Sequence, residues 1–68
     1  MQVTVNGDPV TLDGATHATV SDLLTHLGLG AKWVLVERNG EPVERRALST
    51  TALADGDRFE LVRAVAGG

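Results

Sequence analysis

"TVSDLLTHLGLG", Thr19 to Gly30, is the stretch with helical spacing, and what lies on either side of it decides the architecture. Val20, Leu23, Leu24 and Leu27 fall at i, i+3, i+4 and i+7, which puts one apolar stripe on an amphipathic helix. Thr19 stands where an N-cap belongs. Asp22, three residues on, can reach back as the acid of a capping box and complements the helix dipole. Gly28 and Gly30 offer left-handed stops. His26 falls on the polar side near the last turn, where a cation is mildly favoured, and reads as a surface residue.

Around this helix the apolar period drops to two. Met1, Val3 and Val5 alternate with Gln2, Thr4 and Asn6, the pattern of a strand with one buried face. Asn6-Gly7 tolerates positive φ at both positions, a strong hairpin signal. Val10 and Leu12 continue the alternation on a return strand that ends at Asp13-Gly14. Trp33 to Arg38 is the next strand, closed by Asn39-Gly40; Val34 and Val36 are expected inward, with Trp33 and Leu35 on the other face. The following segment is irregular, with a short strand at Pro42-Val43 and a helical turn near Leu48. Ala54 to Asp57 is a tight turn. Arg58 to Val65 then alternates Phe59 and Leu61 against Arg58 and Glu60. Hairpin, helix, strand, irregular segment and strand predict an α+β fold, with a mixed sheet of four to five strands and one helix across a single face. The outer face is mostly polar, but Leu35, Val62 and Ala64 leave an apolar patch there, a candidate docking site.

Sixty-eight residues make one small domain. At 43% hydrophobic and 22% charged, the chain has a globular composition, and one Trp and one Phe make the core aliphatic. The boundaries expected are a domain over 1–63 and a flexible tail over 64–68. Without cysteine the chain has no disulfide, thiolate ligand or thiol nucleophile. "MQVTVNG" has neither a basic region nor an apolar run, and no apolar stretch is long enough to span a bilayer, so a cytoplasmic location without membrane contact is expected. A net charge of −3 without a Lys/Arg cluster argues against nucleic acid.

Catalytic and metal-binding constellations are not legible. Ser21, Ser49, His17 and His26 belong to no nucleophile-base motif, and two histidines nine residues apart have no recognisable ligand spacing. The glycines are spread over turns and the tail instead of forming a phosphate loop between strand and helix. No catalytic residue and no metal site are therefore assigned.

The tail draws attention by what it lacks. After Arg63 comes Ala64, Val65, Ala66, Gly67 and Gly68, with nothing larger than an isopropyl group. Extended, these five residues span roughly 17 Å, enough to enter a partner's active site while the domain stays outside. Gly67 and Gly68 lack a Cβ and can thread a narrow channel. A carboxylate on Gly68 is a poor electrophile, but as a mixed anhydride with AMP it gains a good leaving group on an uncrowded carbonyl.

"DGDRFELVRAVAGG", Asp55 to Gly68, resembles the carboxy-terminal signature of the ThiS family of sulfur carriers in thiamine biosynthesis, which have a ubiquitin-like β-grasp fold. The likeness runs through the first hairpin, "VSDLL", the Asn39-Gly40-Glu41 turn and Asp55-Gly56-Asp57. It departs at Glu44, Arg45 and Leu48, where a Pro-Arg pair and a later Trp are common. The resemblance implies first and last strands side by side and parallel at the sheet centre, and Leu35 with Val62 as the patch an activating enzyme reads. It also implies a cycle: an adenylating enzyme using ATP and Mg²⁺ forms an acyl-adenylate on Gly68, a persulfide donor protein supplies sulfur for a thiocarboxylate, and thiazole synthase takes that sulfur into the thiazole ring. In that scheme the chain is no enzyme, binds no cofactor itself and is monomeric when free.

Three rivals remain open. Carriers for molybdopterin or cysteine synthesis share the fold, but they tend to be longer and often place prolines before the final glycines. A ubiquitin-like modifier would share the activation chemistry, with Lys32 as the single lysine for chains built on itself. A passive binding module would leave the tail incidental.

Overall fold

Asn6 and Gly7 both adopt positive φ, 49° and 87°, and Asn39 and Gly40 repeat this at 52° and 86°. Each pair therefore closes a two-residue hairpin whose twist matches its strands. The first joins β1 (Gln2–Val5) to β2 (Asp8–Thr11), the second β3 (Val34–Arg38) to β4 (Glu41–Val43). A helix α1 (Val20–His26) lies between them, and β5 (Arg58–Arg63) ends the part of the chain that the computed structural model describes, residues 1–63.

The five strands are ordered β2-β1-β5-β3-β4. β5 runs parallel to β1 and antiparallel to β3, so the last strand lies between the first and the third. This mixed sheet with one helix across it is the β-grasp, ubiquitin-like arrangement, and it bears out the expected neighbours at the sheet centre.

The helix covers one face. Val20, Leu23 and Leu24 from α1 meet Val3, Leu12, Val34, Val36, Phe59 and Leu61 from the sheet side, with Leu48 and Leu53 closing the margin. The inward parity of Val34 and Val36 stands. The Thr19 hydroxyl accepts from the Asp22 N–H while the Asp22 carboxylate accepts from the Thr19 N–H, completing the capping box.

α1 ends at His26 with Leu27 as its C-cap, and Gly28 turns left-handed at φ 73° just beyond it, the stop expected of it. Three boundaries differ from expectation. Gly30 is no second stop: at φ −80° it starts the 3₁₀ turn Ala31–Trp33. That turn also holds Trp33, so β3 begins one residue later than read. Leu12 lies past the end of β2, yet its N–H and carbonyl still bond Met1, which keeps the alternation inward. The helical turn near Leu48 is a 3₁₀ turn, Arg45–Ala47, with Leu48 buried at its end.

The hairpins share a further pattern. Asn6-Gly7-Asp8-Pro9-Val10 is matched by Asn39-Gly40-Glu41-Pro42-Val43, and in both the proline-bearing strand is a sheet edge. The pair flanking a two-residue turn exchanges hydrogen bonds, so the next residue on the return strand points its backbone outward. That residue is Pro9 opposite Thr4, and Pro42 opposite Glu37. Proline removes the outward donor where a foreign strand would pair. No helix among the described residues is long and apolar enough to cross a membrane.

Candidate functional site

β5 is held from both sides by turn asparagines. Asn6 Nδ2 donates to the Leu61 carbonyl at 3.1 Å and Asn6 Oδ1 accepts from the Leu61 N–H at 2.8 Å, extending the β1 pairing by one side chain. Asn39 works from the other flank. Its N–H donates to the Arg58 carbonyl at 2.7 Å, and its Oδ1 accepts from the Arg58 N–H at 2.9 Å.

The start of β5 is tied down further by Asp57, 5% exposed. Its carboxylate accepts from Arg38 Nε at 2.9 Å and Nη2 at 3.3 Å, from Asn39 Nδ2 at 3.1 Å and from the Ala54 N–H at 2.9 Å. Burial opposes the charge, but these donors together outweigh it and hold the carboxyl below its usual range. Asp22 is likewise lowered by the N–H groups of Ala18 and Thr19 that it caps.

Along the outer face of β5 and β3 the register places Leu35 opposite Val62 and Glu37 opposite Glu60. Leu35 is 62% and Val62 58% exposed, so the two residues expected to form a patch do meet as a cross-strand pair in water. Trp33, 48% exposed, lies two residues before Leu35, with the Lys32 ammonium 5.2 Å from its ring centre. At the far end Val34 pairs with Arg63. Ala64, Val65, Ala66, Gly67 and Gly68 lie outside the described residues.

One pairing escaped the sequence reading. The rings of His17 and His26 meet edge to face, 4.9 Å between centroids, because the loop before α1 folds back along the helix. Their ninefold separation crosses from loop to helix and carries no periodic signal. His17 Nδ1 lies 3.0 Å from both the Asp13 carbonyl and the Thr16 hydroxyl. Among the described residues no three His, Cys, Asp or Glu side chains gather as a metal-holding group. The roles of Asn6 and Asn39 were also missed beyond their turns. Their recurrence before Gly-acid-Pro-Val was the available signal.

Comparison with known proteins agrees with this geometry. A family model, that of the ThiS family, matches residues 3–68. A crystal structure of the thiamine biosynthesis protein ThiS from Geobacter metallireducens superposes with a TM-score of 0.82 at 45% identity, over 100% of both chains. A solution structure of a thiamine biosynthesis protein from the same organism gives 0.78 at 45% identity, over 100% of this chain and 88% of the other. A thiazole synthase from Paramagnetospirillum magneticum is 35% identical over 68 residues; this chain covers 20% of its length. With the match extending over nearly every residue and the fold reproduced along its whole length, the chain belongs to the ThiS family.

Proposed function

We propose that this domain is a sulfur carrier whose Gly68 carboxylate is the working group. The observation that carries the reading is the family match running through residue 68, on a fold whose central strand ends at Arg63, five residues before Gly68 in the sequence. In the proposed cycle a Gly68 carboxylate oxygen attacks the α-phosphorus of ATP, held with Mg²⁺ by an adenylating partner, and pyrophosphate leaves. A persulfide sulfur from a donor protein then attacks the carbonyl and AMP departs. A thiol attacks the donor's cysteine sulfur in the resulting acyl disulfide, forming a disulfide with the donor and leaving the outer sulfur on Gly68 as the thiocarboxylate. Thiazole synthase is the acceptor favoured here, since a relative bearing that name aligns with all of this chain. Gly67, Ala66, Val65 and Ala64 serve as the smooth part of the tail that two enzymes must each enclose.

The test is intact mass spectrometry after incubation with adenylating enzyme, ATP and a sulfur source, read with a thiocarboxylate-selective reagent. Sulfur for oxygen adds nearly the nominal mass of Met1 oxidation, so mass alone is insufficient. A reagent-reactive gain that needs ATP and Gly68 supports the carrier. No gain from an enzyme active on another carrier overturns it in favour of a modifier or a passive module.

A further inference from the structure

Asn6-Gly7 does more than turn the first hairpin, because the Asn6 amide continues a ladder that the backbone leaves unfinished. On the β1 flank of β5 the paired residues are Thr4 with Arg58 and Val5 with Phe59. The Asn6 N–H then donates to the Phe59 carbonyl at 2.9 Å, and the Asn6 side chain takes both backbone groups of Leu61. Val62 and Arg63 pair with β3, so among the described residues this clamp is the last hold on the β1 flank. The same dipeptide is chemically labile. An asparagine before glycine closes on itself: the Gly7 nitrogen attacks the Asn6 side-chain carbonyl, a five-membered succinimide forms, and the bond to the amide nitrogen breaks with release of ammonia. Water then opens one of the two imide carbonyls, giving aspartate or isoaspartate. No Cβ crowds the attacking nitrogen, and a Cβ built on Gly7 would meet no atom within 4 Å. Asn6 and Gly7 are both exposed to the water that completes the reaction. What restrains it is the clamp, since an amide bonded to Leu61 through both Oδ1 and Nδ2 is not free to swing onto the Gly7 nitrogen.

We propose that Asn6 is a deamidation site gated by β5: its amide reacts when the end of that strand opens, and the product keeps the strand from closing as before. Aspartate at position 6 still accepts from the Leu61 N–H, but it sets a carboxylate oxygen against the Leu61 carbonyl where Nδ2 had donated. Isoaspartate instead adds a methylene to the main chain of a two-residue turn whose twist has to match its strands. Either product loosens the strand that ends five residues before Gly68. Asn39-Gly40 is the internal control, the same dipeptide in the same positive-φ turn. Its amide grips the start of β5, and its Nδ2 donates to Asp57, which is 5% exposed and also bound by Arg38. A strand end opens at lower free energy than a strand start fixed by a buried network, so Asn6 reacts first. The chemistry needs no partner and is independent of the carrier reading.

The test incubates the intact chain in warm, mildly alkaline buffer over a series of urea concentrations, and follows both asparagines by peptide mapping and enzymatic methylation of isoaspartate. In the folded chain Asn6 should react at least about threefold faster than Asn39, and both should react about tenfold faster, at similar rates, once the chain is unfolded. The Asn6 rate should climb at urea concentrations well below the unfolding midpoint, while the Asn39 rate follows global unfolding. Asn6→Asp, which supplies one product directly, should lower the melting temperature by about 4–8 °C. Equal rates at the two sites in the folded chain overturn the proposal, as does an Asn6 rate that tracks global unfolding or is already as fast as in the unfolded chain. An Asn6→Asp chain that melts with the unmodified one overturns the loosening of β5.

Discussion

Asn39 and Asp57 show how single side chains hold the strand that carries the tail. Asn39→Gly keeps the positive φ the turn requires but removes the bonds to the Arg58 N–H and the Asp57 carboxylate. A loss of about 1–3 kcal/mol is expected in urea unfolding, because a partly buried network is left with unpaired members. Asp57 also gives the domain an acid-sensitive point. Its folded-state pKa is depressed, so its contribution is complete above the unfolded value of about 3.9 and is lost as pH falls through the folded value. Asp22 shifts the same way. Urea midpoints should be level from about pH 7 to 5 and drop below about pH 4. In Asp57→Asn the drop should be shallower; an identical drop would place the acid sensitivity elsewhere.

At the scale of elements, the helix supplies the core and the prolines guard the edges. Leu24 is 1% exposed beneath α1, and Leu24→Ala should cost about 2–5 kcal/mol by denaturant titration, with the spread set by how far the cavity collapses. Pro42 occupies the outward position of a three-residue edge strand. Pro42→Thr restores an N–H there without changing the hairpin turn. Sedimentation at high concentration should then show more self-association than the unmodified chain does, since an unblocked edge is a template for strand pairing.

For the whole molecule the decisive feature is that the last strand is central. β5 pairs with both β1 and β3, so the sheet is incomplete until the end of the chain is in place. Truncation before Arg58 should abolish cooperative unfolding by circular dichroism. Deletion of Gly68 alone should change stability by no more than a few tenths of a kcal/mol while eliminating thiocarboxylate formation. Appending one residue after Gly68 should do the same.

Much of this architecture was legible in local patterns. Alternating apolar residues identified the strands, the i, i+3, i+4, i+7 stripe identified α1, and Asn-Gly pairs located both hairpins, because backbone sterics and one-sided burial act over a few residues. The inward parity of Phe59 and Leu61 followed from the same rule, as did the outward placement of Leu35 and Val62. The bare residues from Ala64 to Gly68 were equally plain in the sequence, and with the resemblance they pointed to the family. What local pattern could not decide was contact between distant segments. The hold of Asn6 and Asn39 on β5 and the Glu37–Glu60 opposition depend on strand order and register, and the meeting of His17 and His26 on the path of the loop before α1. Those are set by closing one shared core over residues up to 55 apart, and only the folded chain brings such partners within reach.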